Sequence, residues 1–201
     1  MRVAEILRGM IEEMKASFRA KDTAIVEHVS ECDNQVDILH NAIIPFLAKL
    51  SQEELTQEQS DRCIDYIYIQ NELESIGDLI DKNVMNLAHK KIDQNLIFSE
   101  EGFHELEHLM YRINRNFELL MHAFEDEDIS YSKEVLDFHK KKEEEKYKKL
   151  HIERLHKGMP ETIATSSVHL DLITYLSRIN THIAFVAKRI NSAFAREGDV
   201  L

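Results

Sequence analysis

Two pairs of carboxylates stand out by their spacing. Asp33-x-x-x-Asp37 and Glu74-x-x-x-Asp78 each place two acids four residues apart. On a helix, positions i and i+4 share a face, with Cβ atoms about 6 Å apart. If the two faces meet, four carboxylates converge, and like charges so close repel unless a cation neutralises them. An all-oxygen donor set suits Mg, Mn, Ca or iron. His40 stands one turn beyond Asp37 and is placed to add a nitrogen ligand. The alternative is plain: in a chain this acidic, i,i+4 acid pairs also arise as solvated helix faces. Gly77, one residue before Asp78, is unfavourable inside a helix by about 1 kcal/mol, so its use there is close approach by a neighbouring element.

A second cluster, His104-Glu105-Leu106-Glu107-His108, spells H-E-x-x-H, the zinc-protease helix motif. Its helix has an apolar seam through Phe103, Leu106 and Met110, which places His108 outside the seam. A catalytic zinc needs its histidines facing a cleft with a third ligand, so the motif is read as a solvated face. Glu101-x-x-His104 and Glu105-x-x-His108 resemble di-iron motifs, but both lie on one helix, whereas that design needs two. The sequence contains no glycine-rich phosphate loop and no serine nucleophile elbow. Cys32 and Cys63 match no metal or redox spacing and are read as reduced packing residues.

These groups must be held by helices. The 201 residues include 5 Gly and 2 Pro, too little punctuation for many turns. Six helices are predicted over 2–20, 23–50, 57–90, 99–126, 130–157 and 160–195. Asp22 and Ser99 are expected N-caps, Gly158 a stop, Pro160 a helix start, and Pro45 a kink. Apolar residues step by three and four, as in Val29, Cys32, Val36, Leu39, Ile43 and Phe46, or Leu172, Leu176, Ile179, Ile183 and Val186. Such stripes bury one seam per helix. The fifth helix carries KKKEEEKYKKL and reads as mostly solvated, with Glu144–Lys148 and Glu145–Lys149 as favourable pairs.

The chain repeats itself. NELESIGDLIDKNV at 71–84 aligns with TYLSRINTHIAFVA at 174–187, and MKASFRAKD at 14–22 with LMHAFEDED at 120–128. The expectation is an all-α fold of six long antiparallel helices, two tandem three-helix bundles divided into residues 1–96 and 97–201. The formal charge of −12 disfavours nucleic acid and anionic lipid as partners. The start MRVAEILRGM is charged throughout and does not read as a secretory signal. The longest apolar run, AIIPFLA at 42–48, is far short of the roughly 20 residues of a membrane helix.

LESIGDLIDKNV, Leu73 to Val84, resembles the signature of PhoU-like domains, and LSRINTHIAFVAKRI, Leu176 to Ile190, resembles a degenerate second copy. Residues 154–182 are similar to the second unit of the C-terminal PhoU-like domain of Na+/phosphate cotransporter-family proteins, which follows a membrane-embedded transporter. The resemblance implies a spectrin-repeat-like bundle with no catalysis of its own. It implies control of phosphate transport from the cytoplasmic side of the membrane, through a phosphate transporter membrane domain in cis or in trans and a sensor kinase, with homo-oligomers open. It also implies a metal ion (iron, Mg, Mn or Zn) on Asp33, Asp37, Glu74 and Asp78. The second unit departs from that pattern, with Ser177 and Thr181 in place of the motif acids and Glu144 and Lys148 facing them. At most one metal site is therefore expected, in the first unit. A metalloenzyme on the bundle and a metal-free scaffold are the rival expectations.

Overall fold

The computed structural model describes residues 1–21, 23–139 and 143–198, with side chains through residue 194. Among these, every regular element is helical: α1 (Arg2–Ser17), α2 (Ala24–Leu50), α3 (Gln57–Asp78), α4 (Asn86–Asp93), α5 (Glu100–Glu125), α6 (Ile129–His139), α7 (Glu143–His156) and α8 (Pro160–Gly198). A π-helical stretch, Leu79–Met85, joins α3 to α4 without a break, so the third rod runs from residue 57 to 93.

Local chemistry accounts for most boundaries. Ser99 accepts a hydrogen bond from the Gly102 amide and caps α5 as expected. Thr56 and Gln59 form a reciprocal capping box at α3, a T-x-x-Q signal that the sequence reading passed over. Gly158 takes φ +68°, a left-handed value that suits glycine after α7, and Pro160 opens α8. Helix α2 runs through Pro45 and ends at Leu50. Asp22, the expected cap of α2, lies outside the described residues, as do the three lysines that open the KKKEEEKYKKL run.

The long helix α8 is the spine. Helices α3, α5, α6 and α7 all pack on it, while α1 bridges α2 and α5. Leu172, Leu176, Ile179, Ile183, Val186 and Ile190 of its predicted seam are all buried. They join Leu7, Met10 and Met14 of α1, Val29 and Val36 of α2, and Ile113 and Phe117 of α5 in one apolar cluster spanning both halves. Each such side chain contributes about 1.5–3 kcal/mol on burial. Helix α2 is the exception. It packs chiefly against α1 and the third rod, so its predicted seam is buried at Val29 and Val36 while Phe46 remains 64% exposed. Helix α7 also differs from a solvated rod, because Tyr147, His151 and Arg154 face inward.

Candidate functional site

Asp33 sits on the buried stripe of α2, between Val29 and Val36, and is only 3% exposed. The same periodicity that buries those valines carries the carboxylate inward. Opposite it on α3 is Gly77. A Cβ there would stand 2.6 Å from Asp33 Oδ1 and 3.4 Å from Leu7 Cδ2. The glycine therefore makes room for a carboxylate oxygen, in addition to letting the helices close. Asp78 follows at the end of α3, and Asp37 lies one turn along α2; both are half-buried.

Carboxylate oxygens of Asp33, Asp37 and Asp78 all lie within 4.8 Å of one another. Three of the four predicted acids are thus brought together. Glu74, one turn before Asp78, is half-buried and stands beside the trio, within its electrostatic field. His40 does not join them: its Nε2 is paired with Asn71 Oδ1 at 3.0 Å, which corrects the expectation of a nitrogen ligand.

The electrostatics are those of uncompensated negative charge. Asp33 Oδ1 is buried with no hydrogen-bond partner among the described residues. Burial, reinforced by Asp81, Asp37 and Asp78 and opposed by Lys82, pushes the Asp33 carboxyl up to about 7. Burial also raises Glu74, with Asp78 and Asp37 adding to it and His40 and Lys82 working against it. Lys82 is hydrogen-bonded to Asp78 and is held charged by that bond and by the nearby acids. The sequence reading missed both Asp81 and Lys82, although D-L-I-D-K places them directly after Asp78. An orphaned buried carboxylate oxygen, a glycine cradle and hard oxygen donors on two helices fit a divalent cation.

The matching positions of the second half carry no such surplus. Lys148 pairs with Glu144 at 2.6 Å, and Thr181 Oγ1 donates to the Ser177 carbonyl at 2.9 Å. Burial pushes Glu144 upward, but hydrogen bonds from Lys148 and Ser177 outweigh it and leave the carboxyl below its ordinary value.

The H-E-x-x-H segment is split between faces. His104 is exposed, and His108 Nδ1 pairs with the Tyr147 hydroxyl at 2.8 Å. Glu105 turns inward, where Arg154 grips it with two bonds of 2.7 Å. Beside this pair His169 bonds the Gly102 carbonyl at 3.1 Å and stacks on His151, the rings 4.5 Å apart. Burial holds His169 down to about 4, with His151 and Arg154 adding to the depression, so it is neutral at pH 7. The side chains of the motif therefore do not converge on one site.

The PhoU domain family model matches residues 1–87, the stretch that holds the whole acidic cluster. The first 87 residues of the chain thus resemble a PhoU domain. Over 189 residues, 93% of its length, the chain is 27% identical to YjbB of Salmonella typhimurium, a protein named for inorganic phosphate export. The corresponding protein of Escherichia coli K12 is 25% identical over 189 residues. The chain spans about a third of these relatives, 35% of their length. In three dimensions it superposes on PhoU from Pseudomonas aeruginosa with a TM-score of 0.87, at 17% identity, covering 98% of this chain and 93% of that one. For the phosphate transport system regulatory protein PhoU from Streptococcus pneumoniae the TM-score is 0.79, at 16% identity, covering 99% and 92%. At such identities the two structures establish a shared PhoU fold.

Proposed function

We propose that this chain is a regulatory domain of a phosphate transport system that acts by protein contact and performs no chemistry of its own. The observation that carries this reading is the match to PhoU structures along nearly the whole chain, together with the PhoU domain family model over residues 1–87. The relatives named for phosphate export support the direction of the assignment. Among the described residues no helix is long and apolar enough to cross a membrane, so a transporter membrane domain would be supplied by other sequence, in cis or in trans. The domain would then sit at the inner face of the cell membrane, and a sensor kinase is the further partner that the family reading implies. Sodium dependence of the transporter follows from the cotransporter resemblance alone.

The two halves, 1–96 and 97–201, are read as copies of one plan that share a single core. In the first copy Asp33, Asp37 and Asp78 would hold a divalent cation, with Glu74 at the rim. The charge would brace α2 against α3, because the carboxylates it neutralises come from both helices.

The decisive functional test is phosphate flux in cells with and without this chain, at high and low external phosphate. Flux should change on removal and be restored by the intact chain. Unchanged flux under both conditions would refute the regulatory reading. Separately, metal analysis of tag-free protein should show bound metal that is lost in the Glu74→Ala, Asp78→Ala double variant, and unaltered metal content there would remove the site assignment.

A further inference from the structure

The acidic site holds a cation of its own. Lys82 Nζ is hydrogen-bonded to Asp78 Oδ1, four residues earlier on the same rod. Lys82 belongs to the π-helical stretch Leu79–Met85 that begins directly after Asp78. Its side chain is 56% exposed, so it can leave the carboxylates for water with little change in hydration. Asp33 Oδ1, by contrast, is buried, unpartnered and beyond any hydrogen bond from that ammonium. The lysine neutralises the outer edge of the cluster and leaves its buried end unsatisfied.

The second half solves the same problem differently. There Lys148 stands at the Asp37 position and pairs with one acid, Glu144, while Phe185 stands at the Lys82 position. One ammonium against one carboxylate is balanced. In the first half one ammonium faces Asp33, Asp37 and Asp78, with Glu74 and Asp81 close by. That surplus favours exchange of one charge for two.

We propose that Lys82 is a tethered counter-cation that occupies the acidic site in the metal-free state and is displaced when a divalent cation enters. The inference rests on the metal reading of Asp33, Asp37 and Asp78. A monovalent ion brings no more charge than the ammonium already there, so the tether selects for divalent ions. Because exposed ion pairs are weak, the tether sets a threshold and does not block the site.

The test uses the full, tag-free chain, Mn2+ as the probe and three variants, Lys82→Met, Lys82→Arg and Asp33→Asn. Mn2+ binding is followed by the loss of its free-ion EPR signal, and thermal midpoints are taken in chelator and in saturating Mn2+. Lys82→Met should bind Mn2+ about three- to tenfold more tightly than the wild type, while Lys82→Arg stays near it and Asp33→Asn binds weakly. In chelator Lys82→Met should melt below the wild type, and saturating Mn2+ should close that gap. Wild-type binding with no gain in Lys82→Met overturns the counter-cation proposal and leaves the metal site standing. A gap that Mn2+ does not close shows Lys82 to be purely structural and overturns it too. No binding by the wild type or by Lys82→Met removes both the site and the proposal.

Discussion

Replacing Asp33 by Asn removes a buried charge with almost no change of shape, and the structure fixes the sign of the result. The Asp33 carboxyl stands near 7 in the folded chain, against an ordinary value of 3.8. Between those pH values the folded protein keeps a proton that the unfolded chain has released. The Asp33 contribution to metal-free stability is therefore fully present below about pH 4 and is lost as pH rises through 7. The difference corresponds to roughly 4 kcal/mol at most. An asparagine amide leaves part of this unrecovered, because it too is buried, although Asp37 and Asp78 can accept from its NH2. The expected net gain of Asp33→Asn in chelator at pH 8 is about 2–3 kcal/mol. In a chain of this size that raises the thermal midpoint by about 5–10 °C. The gain should vanish as pH falls toward 4, where the wild-type carboxyl is protonated and the variant should melt at or slightly below the wild type. Mn2+ at 100 times the wild-type Kd should erase the difference, because it stabilises the wild type by about 2.7 kcal/mol and the weakly binding variant by far less, and at 1,000 times Kd, worth about 4.1 kcal/mol, it should reverse the order. Thermal melts at pH 4, 6 and 8, with chelator and with Mn2+, read all of this. An Asp33→Asn protein that melts below the wild type in chelator at pH 8, or one whose gain is the same at every pH, would refute the account of a charge kept at a cost in stability.

Three further outcomes are expected. Gly77→Ala gains helix propensity of about 1 kcal/mol but forces Asp33 Oδ1 out of a 2.6 Å approach; Mn2+ affinity should fall at least tenfold, and binding equal to that of the wild type would show that the cradle is not needed. Arg154→Met leaves Glu105 charged and unpaired in the interior, so urea unfolding should show a loss of about 3–5 kcal/mol, most of it recovered when Glu105→Gln is added. Failure of the second change to rescue would show that packing by the guanidinium, and not charge, sustains the pair. Burial holds His169 near 4 against an ordinary 6.5, so its contribution is complete above pH 6.5 and is lost as pH falls toward 4. His169→Gln should flatten that acid limb relative to the wild type. Since Asp33 acts in the opposite direction over the same window, each variant is compared with the wild type at each pH.

Much of the architecture was legible along the chain because helical packing repeats every three or four residues and needs no knowledge of partners. The seam of α8 was read residue by residue, and Ser99 and Gly158 marked helix ends by chemistry confined to a few neighbours. The i,i+4 rule likewise placed Asp33 with Asp37 and Glu74 with Asp78, and the loss of acids at Ser177 and Thr181 was visible without coordinates. The meeting of separate helices was not visible. The packing angle of α2 on α3 brings Asp33, Asp37 and Asp78 within 4.8 Å, sets Glu74 beside them and turns His40 to Asn71. The open edge of α2 leaves Phe46 in water although its spacing is that of a core residue. Glu105, written off with a surface motif, became a buried ion pair because α7 presents Arg154 to it. Periodicity is a property of one helix and is carried by its sequence. Burial, and the charge a carboxylate can bear once buried, depend on which helix lies opposite, and that is decided when the rods assemble.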